Sequence, residues 1–262
     1  MQVIVQGFPA YAYTGGRAFD PGLVPIVLVH GAAFDHSVWQ WQSRYFAHHG
    51  YAVLAVDLPG HGRSPGVARA TIEEWAPWVA DFLEAAGLSN VALVGHSMGS
   101  LIALETAMKH GARVSKLVLV GTAIPMAVGE AFLAAALERS PAAFDMEAVW
   151  GHSRSVQLMQ SAVPGATLLG ASRSLNARSR PGVLHAALYA CNAYRPSMDA
   201  VRALKVPTLV VAGTRDQMTQ PKAGKALAAE IPGAKLVTLD AGHSMMSEAP
   251  RELLKALRSF LD

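Results

Sequence analysis

Ser97 lies in the pentad Gly95-His96-Ser97-Met98-Gly99, directly after an apolar run at residues 91–94 and ahead of a helical pattern at 98–110. A serine hydroxyl attacks poorly at neutral pH unless a neighbouring base accepts its proton. A tight strand-to-helix turn exposes such a hydroxyl, and flanking glycines let that turn close without collision. The base expected is His243, in Asp240-Ala241-Gly242-His243-Ser244, between the last strand-like run and the final helical pattern. Of the nine other histidines, His48, His49 and His110 fall at helix ends, and His61 lies in a turn. His152 and His185 lie in a proline-punctuated stretch, His96 should point away from the serine, and His30 and His36 precede it. A carboxylate must hold the imidazole in the right tautomer and stabilise its charged form. Asp216, just beyond residues 208–213, is expected in that role, while Asp240 is assigned to a strand end. The developing oxyanion needs two donors. The backbone N–H of Met98 should supply one and that of Ala32, in His30-Gly31-Ala32-Ala33, the other.

These groups are useful only if a scaffold brings them together. Apolar runs at 26–29, 52–56, 91–94, 117–120, 208–211 and 235–239 read as strands covered on both faces, as in parallel sheets. Helical patterns at 38–49, 72–86, 98–110, 221–230 and 250–261 lie between or after them. The alternation predicts an α/β fold: a mostly parallel sheet wrapped by helices. Residues 1–5 and 8–13 are expected to add an antiparallel pair at one edge. The alternation breaks at 123–200, where helical pieces at 132–139 and 146–160 are divided by Pro141, Pro164, Pro181 and Pro196. This stretch is expected to form a helical cap inserted into a core of residues 1–122 and 201–262. Met126, Phe144 and Trp150, together with Phe132, Met146 and Met159, are candidates to line an apolar pocket over Ser97.

The 262 residues are 52% apolar and carry a formal net charge of +3, with no basic block of the kind that tracks nucleic acid. The run at 117–137 contains glycines, a proline and Glu130, so no stable membrane insertion is expected. A single cysteine, Cys191, fits a reducing compartment, and cytoplasmic placement is expected. The Arg173, Arg178 and Arg180 cluster reads as a solvated loop. No metal-ligand spacing and no Rossmann or P-loop glycine pattern appears, so the chemistry should need neither a metal nor a cofactor.

Taken together, His30-Gly31, the segment Asp57-Leu58-Pro59-Gly60-His61-Gly62-Arg63-Ser64, the serine pentad, Gly213-Thr214-Arg215-Asp216 and Gly242-His243 resemble the α/β-hydrolase superfamily. The order Ser97, Asp216, His243 matches that family. The resemblance implies an eight-stranded sheet with its second strand antiparallel, and a cap after the sixth strand. Serine at the turn speaks against the dehalogenases and epoxide hydrolases, and the short loop after Gly31 resembles small esterases, lactonases and perhydrolases. The function implied is a serine hydrolase of a carboxylic ester, lactone or thioester, acting on a small, apolar acyl substrate. C–C bond hydrolysis, acyl transfer or perhydrolysis by the same triad stands as the alternative, followed by a ligand-binding receptor with slow turnover. Whether the protein forms a homodimer stays open.

Overall fold

The computed structural model describes residues 1–158, 165 and 167–262. Its centre is an eight-stranded sheet in the order β1-β2-β4-β3-β5-β6-β7-β8. The strands are β1 (Gln2–Val5), β2 (Phe8–Tyr13), β3 (Val24–Val29), β4 (Tyr51–Val56), β5 (Val91–His96), β6 (Val114–Val120), β7 (Thr208–Gly213) and β8 (Lys235–Leu239). β2 pairs antiparallel with both β1 and β4, and every other pairing is parallel. The expected edge pair is therefore present, continued into the sheet by Ala12 and Tyr13.

Why these runs form a buried sheet follows from their side-chain alternation. Val27 and Val29 of β3, with Leu54 and Val56 of β4, enter one core cluster. Ile26, Leu28, Val53 and Ala55 enter the other. Both faces of each strand are thus apolar, and each needs a covering layer. On the first face lie α2 (Ile72–Ala85) and α3 (Met98–Lys109), which contribute Trp75, Trp78, Leu101 and Leu104. The opposite face receives Phe46 from α1 (Gln40–Ala47), and Leu253, Leu257 and Leu261 from α12 (Pro250–Leu261). The spacing of those three leucines is one helical turn each, which keeps them on one stripe. The helix expected over 38–49 is shorter, because His36–Trp39 form a tighter 3-10 turn capped by Asp35.

Between β6 and β7 the described chain is helical: α4 (Glu130–Leu137), α5 (Pro141–Trp150), α6 (Arg154–Gln157), α7 (Leu168–Ala177), α8 (Val183–Ala193) and α9 (Met198–Arg202). The single helix expected over 146–160 is instead two. α5 begins at Pro141 behind the Ser140 cap and stops at Gly151, and α6 starts after Ser153. Met159 and Gln160 lie outside the described residues. Phe132, Phe144, Leu184 and Leu188 from this segment join the core cluster beneath it. Beyond β7, α10 (Pro221–Glu230) packs on the sheet, and α11 (Met245–Glu248) precedes α12. Among the described residues no helix is long and apolar enough to cross a membrane.

Candidate active site

Ser97 stands between the end of β5 and the start of α3 with φ 52° and ψ −120°. That positive φ is strained for a residue with a side chain, so the surroundings must impose it. They do so by close packing. A Cβ on Gly95 would run into the Gly99 carbonyl, and one on Gly99 would run into the carbonyls of Val29 and His30. The Ser97 N–H is spent on Val120 O of β6 at 2.9 Å, which fixes the turn to the neighbouring strand. Met98 opens α3, and the first N–H groups of a helix have no intrahelical acceptor. Ala32 lines the same cavity as Ser97.

His243 is buried in the loop that follows β8. Its Nδ1 lies 2.8 Å from Asp216 Oδ2 and 3.2 Å from Thr219 Oγ1. Asp216 is held in turn: its Oδ1 accepts from Met218 N and Thr219 N, each at 2.8 Å, and its Oδ2 accepts from Thr219 Oγ1 at 2.7 Å. Burial opposes charge on both groups, but each offsets it for the other. The Asp216 charge and hydrogen bond hold His243 above the ordinary imidazole range, with further help from Glu147 and Glu248. His243 and the Thr219 donors hold Asp216 below the usual carboxylate range. His243 Nε2 is buried and has no hydrogen-bond partner among the described residues, so the Nδ1-bonded ring presents a free nitrogen. Asp240, the competing carboxylate, is exposed and paired with Arg215.

Ser97 opens into a cavity of about 300 Å³ lined by Met126, Phe132, Trp150, Leu188 and Cys191, together with Glu147 and residues 217–219. Met126 and Trp150 therefore face the cavity. Phe144 is not among the lining residues and packs into the core cluster that also holds Phe132. Thr219, Glu147, Leu188 and Cys191 escaped the sequence reading. Thr219 follows Asp216 by one turn-length, and Glu147 lies three and four residues after the buried Phe144 and Ala143, so it shares their face of α5. That spacing is the one signal the sequence carried for Glu147. The Cys191 thiol is pushed up to about 12 by burial and then by Glu147, so it stays protonated.

The helical segment is fastened to the loop that carries His243. Ser244 N donates to Gly151 O at 2.8 Å. The Glu248 carboxylate accepts from Ser153 N at 3.2 Å and from Gly242 N at 3.1 Å. The arginine cluster is also structural in part: Arg173 pairs with Asp145, and Arg180 donates to Ser64 O at 2.6 Å. Asp35, His36 and Asp57 form the one potential metal-ligand group found among the described residues. Asp57 is already engaged there, accepting from His36 N at 2.7 Å and from Arg63 N at 2.8 Å.

Comparison with known proteins places this geometry in context. Residues 24–250 match the family model described as alpha/beta hydrolase fold. A 79-residue stretch is 40% identical to an (E)-2-((N-methylformamido)methylene)succinate hydrolase of Acinetobacter baylyi; it spans 30% of this chain and only 30% of that protein's length. Over 89% of the chain and 91% of the relative, identity is 29% to a pimeloyl-[acyl-carrier protein] methyl ester esterase of Chromobacterium violaceum. Among solved structures, an enol-lactonase of Burkholderia xenovorans superposes with a TM-score of 0.87 at 24% identity, covering 100% of this chain and 99% of that one.

Proposed function

Because the chain belongs to the alpha/beta hydrolase fold family, we propose that it is a serine hydrolase that cleaves a carboxylic ester, lactone or thioester through an acyl-enzyme on Ser97. The observation that supports this most directly is the buried Asp216–His243 pair: its Nε2 has no partner among the described residues, and Thr219, which bonds both groups, lines the cavity into which the strained Ser97 opens. In this reading residues 123–200 are a cap over a core of 1–122 and 201–262, and the substrate is a small acyl compound with a mainly apolar body.

Ser97 Oγ attacks the carbonyl carbon while His243 Nε2 takes the hydroxyl proton. Asp216 holds Nδ1–H and stabilises the imidazolium. The oxyanion is met by the N–H groups of Ala32 and Met98, each donor contributing about 100- to 1000-fold in rate. The bond to the leaving group then breaks, and His243 returns the proton to it. Water, deprotonated by the same nitrogen, attacks the acyl-enzyme and restores Ser97. The same acyl-enzyme could instead pass its acyl group to another acceptor or to peroxide, and the triad could serve C–C cleavage.

The test is hydrolysis of p-nitrophenyl esters from acetate to decanoate, paired with fluorophosphonate labelling. Wild type should turn over and label. Ser97→Ala should lose labelling and about 10⁶-fold in turnover. Labelling that persists in Ser97→Ala overturns the nucleophile assignment.

A further inference from the structure

Glu147 is only 3% exposed, on the inward face of α5, yet it lines the cavity that contains Ser97. The cavity's apolar lining is Met126, Phe132, Trp150, Leu188 and the protonated Cys191, and its other polar side chains are Ser97, Gln217 and Thr219. Among the described residues neither lysine nor arginine lines the cavity, and Glu147 Oε2 has no hydrogen-bond partner. A carboxyl group buried without a partner is costly, and a site that retains one points to a partner that arrives from outside the protein. Burial pushes this carboxyl up to about 7 against the opposing pull of His243, so both its protonation states are available near neutrality. The titratable groups that face it are His243 and Cys191.

One competing role is electrostatic support of the imidazolium. Glu147 does help to raise the His243 pKa, but it ranks behind both contributions of Asp216 and makes no hydrogen bond to the ring. That leaves its Oε2 acceptor without a use among the described residues.

We propose that Glu147 is the specificity-determining residue of this site, accepting a hydrogen bond from a donor group on the substrate, a hydroxyl or an ammonium, whose remaining body fills the apolar lining. The inference rests on the acyl-transfer reading of Ser97 and deepens it. A plain alkyl chain in this cavity would leave the carboxyl dry and unpaired, whereas a donor-bearing chain satisfies it. The hydroxyl can bond either protonation state, and the ammonium selects the ionised one.

The experiment measures kcat/KM for ethyl esters of ω-hydroxy, ω-amino and unsubstituted alkanoic acids from butanoate to octanoate, and for acetates of the matching diols, amino alcohols and alkanols. Each is assayed with wild type, Glu147→Gln and Glu147→Leu. The quantity read is the ratio of donor-bearing to plain ester on one and the same protein, which does not depend on the folded fraction. Wild type should favour a donor-bearing ester by about 10- to 100-fold at the chain length that reaches Glu147. Glu147→Leu should abolish that ratio. Glu147→Gln, whose amide oxygen still accepts, should keep the hydroxyl preference and lose any ammonium preference, which tells the two donors apart.

An equal ratio in wild type and Glu147→Leu, or a wild-type preference for plain esters at every length, overturns the proposal. Calorimetric binding of the same esters to Ser97→Ala, with and without Glu147→Leu, reads the preference without turnover. A wild type that hydrolyses none of them therefore counts against the hydrolase reading alone, while an unchanged binding preference counts against Glu147.

Discussion

His96 Nε2 donates to the backbone carbonyl of His243 at 3.0 Å, so the residue before the candidate nucleophile holds the main chain of the candidate base. The two rings also meet at a tilt of 48°, with centroids 4.7 Å apart. Burial, and then the nearby His243, push the His96 pKa down to about 3, so the ring stays neutral and keeps its single N–H on that carbonyl. His96→Leu removes the donor and leaves the carbonyl unsatisfied. It should cost about 1–3 kcal/mol in stability, read by urea unfolding. It should also lower kcat more than it raises KM, because what is lost is the placement of the base. An unchanged kcat would refute the positioning role.

Thr219 bonds both members of the Asp216–His243 pair. Two substitutions separate its role from that of the carboxylate. Asp216→Asn should reduce kcat by roughly 10⁴-fold, since an amide favours the wrong imidazole tautomer. Thr219→Val keeps the shape and the backbone donor to Asp216 but removes the hydroxyl; a fall of about 10- to 100-fold is expected, the order of one hydrogen bond to a charged acceptor. Equal losses in the two variants would mean that Thr219, and not Asp216, orients the ring.

The rate should fall on the acid side as His243 takes up a proton and ceases to act as a base. Burial works against that proton, but Asp216, then Glu147 and Glu248, outweigh it. The acid limb of kcat/KM should therefore have its midpoint above the ordinary imidazole value of about 6.5. Removing the charge at Asp216 leaves burial unopposed by its largest counterweight, so the limb should move to lower pH in Asp216→Asn. Glu147→Gln should move it the same way by less. A pH–rate profile of the three proteins decides the matter, and an acid limb that stays in place in Asp216→Asn would remove His243 as the titrating base.

The sheet was legible because its strands are apolar on both faces. Residues 26–29 and 52–56 can be read as strands without knowing what covers them, and the structure pairs them in parallel. Ser97 was legible for a related reason: glycines at 95 and 99 are required wherever backbone carbonyls crowd a turn. The helical segment was harder. α7 buries Ser172 and Asn176 rather than an apolar stripe, so hydrophobic periodicity carries no signal there. Within the cavity, chemical type misled in both directions. Phe144 is apolar and packs the core, while Trp150 lines the cavity although it is 38% exposed. Glu147, charged and buried, is what a search for apolar lining passes over.

The Glu248 carboxylate rivets two elements with one side chain: Gly242, next to His243, and Ser153, at the start of α6. The helical segment and the backbone beside the candidate base therefore share a single fastening, and a truncation there, Glu248→Ala, would loosen both at once rather than either alone.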